Sequence, residues 1–260
     1  MKTITSMLFL LLVLLTRSYA APSVDGVDPR THTVTKIQWQ REAAKTAIES
    51  NKNALLLGQA ANSKLAKLAF EHYGSIKARN PANAYAALYY GQAGVFYFEE
   101  SLSSPKFVEK AGGINRIVND NLAFAVNKLP KSAYAHLAYG YFLWQFYDQM
   151  DEGLALVRKA RQLDPKAANI AAVLGLMYSN SGGNCYSLEQ AERAYRTSVQ
   201  LDPKRASTRI GFADVLVQRK KYDEAKKQIA AYLSLAPQRA AKGPVVIRIQ
   251  AQIKQGIGSS

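Results

Sequence analysis

The sequence predicts an all-α chain in which pairs of antiparallel helices repeat and stack. Three observations carry that expectation. Prolines close apolar-periodic segments at regular intervals: Pro130 to Pro165 is 35 residues, Pro165 to Pro203 is 38, and Pro203 to Pro237 is 34. Between them, apolar residues recur with the 3.6-residue period of amphipathic helices. Small residues also return at two fixed places, Gly140, Gly175 and Ala213 in one helix of each pair and Gly153, Ala191 and Ala225 in the other. Gly in a helix interior costs roughly 1 kcal/mol against Ala, so its recurrence points to close helix packing.

The register is cleanest over residues 206–239. A first apolar face reads Ile210, Ala213, Leu216 and Val217; Arg219-Lys220-Lys221 interrupts it; a second face reads Tyr222, Ala225, Ile229, Tyr232 and Leu233. Pro237 then removes a backbone donor and turns Ala236 away from helical geometry, so the second helix stops. The unit before it places Leu174-Gly175 and Tyr178 ahead of Ala191, Tyr195 and Ser198, and ends on Leu201-Asp202-Pro203. One unit earlier, Tyr139-Gly140 and Leu143 precede Gly153, Val157 and Ala160, and Leu163-Asp164-Pro165 closes the pair.

Leu174-Gly175-Tyr178-Ala191-Tyr195-Pro203 and Phe212-Ala213-Leu216-Ala225-Ile229-Pro237 resemble the tetratricopeptide repeat (TPR) family. Its pattern is a 34-residue helix-turn-helix with a bulky–small pair in helix A, small and aromatic positions in helix B, and a terminal proline. Leu57-Gly58, Ala61, Ala69, Tyr73, Ile76 and Pro81 fit it further upstream, as do Tyr90-Gly91 and Pro130. The family's early helix-A tryptophan is missing; His136, Ala171 and Arg209 stand there. The resemblance implies a right-handed superhelical solenoid of about five repeats, over residues 51–83, 84–132, 133–167, 168–205 and 206–239.

Ahead of the repeats, Lys2, the apolar run Met7 to Leu15 and Ser18-Tyr19-Ala20 have the layout of a secretory signal peptide cut after Ala20. The run is shorter than the roughly 20 residues of a membrane span. The chain is therefore expected in the periplasm or outside the cell, with no span left after cleavage. Residues 21–35 read as a flexible lead-in, and residues 36–50 as a helix capping the first repeat, because the ends of a stacked array have no neighbour to cover them. The second unit carries about fifteen extra residues. Its insert, residues 101–113, holds Ser103-Ser104-Pro105 and Gly112-Gly113 and predicts a break in the helix. Residues 180–185 have the composition of a turn. Pro244, Val246, Ile249 and Ile253 predict a C-terminal capping helix over residues 244–256.

Thirty-four Lys and Arg face 19 Asp and Glu, a net charge of +15; loss of Lys2 and Arg17 with the leader lowers it to +13. Twelve of these cations, against four acids, lie from Asp202 onward. Such a charge favours anionic partners, among which export disfavours nucleic acid. An anionic envelope polymer held by the basic C-terminal repeats is one reading; a solvated basic surface is the plain alternative.

Catalytic chemistry finds little support. His32, His72 and His136 are far apart and form no two-His metal motif. Cys185, the only cysteine, has no base or orienting partner evident in the sequence. Phosphate-binding loops and serine elbows are absent, and no cofactor is expected. What remains is recognition: a non-catalytic scaffold or adaptor in the cell envelope, binding a partner protein or peptide. In the resembling family, helix A of each unit lines a concave groove. That implies inward positions at Lys52, Leu55, Gln59 and Asn62; Tyr85, Leu88 and Gln92; Tyr134, Leu137, Tyr141 and Trp144; Asn169, Ala172 and Leu176; and Ser207, Ile210 and Asp214. The partner-binding residues expected on this basis are Tyr85, Leu88, Tyr134, Leu137, Tyr141, Trp144 and Asn169. The aromatic stripe of the third set is either a hot spot for a peptide or internal packing.

Overall fold

The computed structural model describes residues 63–101, 108–147, 149–235 and 243–258. Those residues form ten α-helices and no strand. They are α1 (Ser63–Arg79), α2 (Ala84–Ser101), α3 (Val108–Lys128), α4 (Ala133–Phe146), α5 (Met150–Leu163), α6 (Ala168–Tyr178), α7 (Leu188–Leu201), α8 (Ala206–Gln218), α9 (Tyr222–Leu235) and α10 (Pro244–Ile257). The expected signal peptide, the helix over residues 36–50 and the first helix of the first unit lie outside the described residues.

Successive helices pack as hairpins: α2 with α3, α4 with α5, α6 with α7, and α8 with α9. Each hairpin lies against the next, α1 packs on α2, and α10 closes the far end against α8 and α9. The first helices of successive hairpins touch one another, whereas the second helices meet less, so α2, α4, α6, α8 and α10 form the inner layer.

Local chemistry sets the helix ends. Asn83 Oδ1 accepts from the Ala86 N–H at 2.9 Å, Ser132 Oγ from Ala135 at 3.2 Å, and Ser187 Oγ from Gln190 at 3.3 Å. These oxygens satisfy donors that the first helical turn leaves orphaned. At the other end, Asp164 and Asp202 each precede a proline. Their backbones sit at φ −135°, ψ 86° and φ −139°, ψ 87°, the extended geometry a following proline imposes. Their carboxylates then accept from the Lys166 and Lys204 N–H groups at 3.1 and 3.2 Å. The repeated Leu-Asp-Pro is thus a stop-and-turn device.

The small residues do the packing the sequence implies. A Cβ on Gly140 would lie 2.6 Å from the Gly153 carbonyl oxygen, and one on Gly153 the same distance from that of Gly140. Backbones touch at this crossing of α4 and α5. Gly175 lies against the Tyr195 ring in the same way, and Ala213 and Ala225 are fully buried between α8 and α9. Within the insert, α2 ends at Ser101 and α3 starts at Val108; Ser103-Ser104-Pro105 lie outside the described residues, and Gly112 and Gly113 lie within α3, so they mark no break of their own.

Candidate functional site

The inner layer is where a partner would lie, and burial divides it sharply. Tyr85 is 58% exposed at the start of α2, and Asn169 is half-buried at the start of α6. Leu88, Leu137, Tyr141 and Trp144 are core: Tyr141 is 2% exposed and Trp144 5%. Tyr141 and Trp144 lean on each other with ring centroids 6.0 Å apart, and the Trp144 Cβ sits against Gly153. The expectation that these four side chains line an open groove is therefore corrected. The helix α4 that carries Leu137, Tyr141 and Trp144 is apolar nearly all round, the mark of a buried helix. Gln92 and Ile210 are buried as well. Lys52, Leu55, Gln59 and Asn62 lie outside the described residues.

What stays accessible is a rim at the amino ends of the inner helices. Tyr85 and Tyr89 stand 6.5 Å apart, and Tyr73 of α1 is 5.3 Å from Tyr89. Tyr134, half-buried at the start of α4, joins them with its hydroxyl buried and without a hydrogen-bond partner. Burial, and then the neighbouring Tyr89, pushes the Tyr134 phenol well above its ordinary range; the same two causes push Tyr73 up to about 12. These phenols stay protonated at any physiological pH, and the buried Tyr134 hydroxyl is not available to a partner. Tyr89 was not singled out from sequence, although its spacing from Tyr85 places both on one helix face.

The C-terminal hairpins hold a feature the sequence hid. Glu192 is buried in α7. It accepts from Arg196 at 2.9 Å, from Arg219 at 2.6 Å, and from Lys221 at 2.8 and 2.9 Å. Arg196 also pairs with Glu224 of α9 at 2.6 Å. Burial opposes ionisation of Glu192, but hydrogen bonds from Lys221 and Arg196 and the charges of Lys221 and Arg219 outweigh it and hold the carboxyl below its usual range. The cluster clamps the α8–α9 turn onto α7. Farther along, Arg248 of α10 pairs with Asp214 of α8 at 2.8 Å, tying the last helix to the inner layer.

Among the described residues, no group of three or more His, Cys, Asp or Glu side chains is placed to hold a metal ion. His136 is buried, with Nδ1 2.9 Å from the Ser132 carbonyl oxygen. The Cys185 thiol is half-buried, donates to the Met177 carbonyl at 3.6 Å, and is pushed up by burial, which lowers its nucleophilic fraction. No helix among the described residues is long and apolar enough to cross a membrane.

Stacked helix hairpins with a shared inner layer define a helical-repeat solenoid. Comparison with known proteins specifies the kind. The tetratricopeptide repeat family matches residues 187–243. TTC0263 of Thermus thermophilus, described as a thermophilic TPR protein, superposes with a TM-score of 0.54 at 14% identity, over 84% of this chain and 98% of its own. PilF of Pseudomonas aeruginosa gives 0.52 at 18% identity, over 84% and 90%. No curated protein matches the sequence. Residues 187–243 match the tetratricopeptide repeat family, and the described helices share the fold of these TPR structures.

Proposed function

We propose that the chain is an exported adaptor that holds a partner protein at the rim of its inner layer. The observation that carries this reading is the contrast within the inner layer. Tyr85 stands out at 58% exposure beside Tyr89, while Leu137, Tyr141 and Trp144 of α4 are sealed in the core. An exposed tyrosine cluster on rigid helices supplies contact area at little conformational cost, as at interface hot spots. The envelope location rests on the arrangement of residues 1–20 and is checked by mass: the mature chain should begin at Ala21.

A photo-crosslinking residue at Tyr85, in cells that make the chain, tests the binding face. Protein adducts should form at Tyr85 and at Asn169, and not at Lys226 on the exposed outer face of α9. Equal adducts at Lys226, or none at the rim, would contradict the reading.

A further inference from the structure

The two edges of the solenoid differ in charge, and the cause is local. The second helices of the hairpins obey the helix dipole: α5, α7 and α9 carry Asp151 and Glu152, Glu189, and Asp223 and Glu224 in their first turns. The last turns of α1, α3 and α5 carry Lys77 and Arg79, Lys128, and Arg161, whereas those of α7 and α9 carry no base. The inner helices α2, α4, α6 and α8 carry no acid in the first turn. Acid therefore collects at the edge of the intrahairpin turns, while base prevails at the edge where each hairpin hands over to the next. Arg219, Lys220 and Lys221 also stand at the first edge, and Glu192 takes up two of them.

On the basic edge, some cations are committed to structure. Lys77 donates to the Pro81 carbonyl, Arg161 to that of Pro165, and Arg209 to that of Pro203 at 2.7 and 3.1 Å. Pro81, Pro165 and Pro203 thus have their carbonyls covered by a cation. The two acids here, Asp164 and Asp202, accept from turn N–H groups, and Asp202 also pairs with Arg205 at 3.1 Å. Lys131, Lys166 and Lys204 stand exposed on successive turns, beside the exposed Arg79 and Lys128, of which Arg79 donates to the Ser75 carbonyl and Lys128 lies over the Phe124 ring. Among the described residues no ion pair reaches Lys131, Lys166 or Lys204, each of which directly follows a turn proline. Two exposed apolar side chains lie along the same edge: Tyr85 at the start of α2 and Leu201, 40% exposed, at the end of α7.

We infer that this edge is a docking strip for an extended acidic polypeptide segment, its carboxylates meeting the turn lysines and its apolar side chains meeting Tyr85 and Leu201. Charge complementarity selects an anion. Apolar side chains between the cations favour a polypeptide over a phosphate polymer, which has nothing to place there. The strip adjoins the tyrosine rim, so the inference rests on the adaptor reading and adds the partner's chemistry.

The probe is a synthetic Asp/Glu-rich peptide with leucine at every fourth position, tested beside inorganic polyphosphate and phosphatidylglycerol vesicles. One variant combines Lys128→Ser, Lys131→Ser, Lys166→Ser and Lys204→Ser. A control of equal charge combines Lys67→Ser, Lys226→Ser, Lys227→Ser and Lys254→Ser, all at exposed positions two or more helical turns from the strip. The strip variant should raise the peptide Kd at least about tenfold and the control less than about threefold, since charges beyond about one Debye length of 8–10 Å are screened. Leu201→Ser should weaken the peptide and leave polyphosphate unchanged. Equal weakening by both lysine sets, absence of peptide binding, or binding of polyphosphate or vesicles alone would overturn the inference. If the strip variant still captures the protein crosslinked at Tyr85, the adaptor reading stands and the strip falls.

Discussion

Lys220 carries a left-handed backbone, with φ 59°. Its N–H donates to the Val217 carbonyl at 2.9 Å and the Lys221 N–H to that of Leu216 at 2.8 Å, the paired bonds of a Schellman helix end. Glycine is the usual occupant, because a side chain there costs roughly 1–2 kcal/mol. Lys220→Gly should stabilise the fold by up to about 1 kcal/mol, read by urea unfolding. The strain has a use: the turn it makes brings Arg219 and Lys221 onto Glu192. Glu192→Gln should cost about 2 kcal/mol, less than a fully buried pair because its partners are partly exposed. The sign of its pH dependence follows from the lowered carboxyl. Its stabilisation is complete above the unfolded-state value near 4.3 and fades as pH falls through the lower folded value. Unfolding curves of wild type and Glu192→Gln should therefore converge below about pH 4; a constant gap from pH 7 to pH 3 would contradict the clamp.

At the scale of the helix pair, the α4–α5 crossing is the least forgiving. Ala in place of Gly153 would gain about 1 kcal/mol of helix propensity, but its methyl would press the Gly140 carbonyl, an overpacking cost of about 2–3 kcal/mol. The cost wins, so Gly153→Ala should lower the unfolding midpoint. Pair boundaries were legible in the sequence because proline, Asp-Pro and Gly act within a few residues of themselves. The clamp was not, because Glu192 and its partners in the α8–α9 turn are 27 and 29 residues apart. Arg219-Lys220-Lys221 read only as an interruption of an apolar face. Extra length in the second unit was legible, but the helix start was not: Gly112-Gly113 looked like part of the break, and α3, starting at Val108, runs through them.

Across the whole molecule, the period and its small residues were enough to give the stacked architecture. Which side of an inner helix stays open was a different matter. Tyr134, Leu137, Tyr141 and Trp144 share a helical face, and spacing alone fits groove and core equally. Packing between neighbouring hairpins decides it, and Trp144 closes over Gly153. Trp144→Ala should accordingly cost about 3–5 kcal/mol, whereas Tyr85→Ala should change stability by less than about 0.5 kcal/mol. Hydroxyl-radical footprinting of the folded chain tests this division most directly. Tyr85 should be oxidised readily while Tyr141 and Trp144 stay protected until the chain unfolds; oxidation of Tyr141 and Trp144 at the rate of Tyr85 would mean an open aromatic groove and contradict the account.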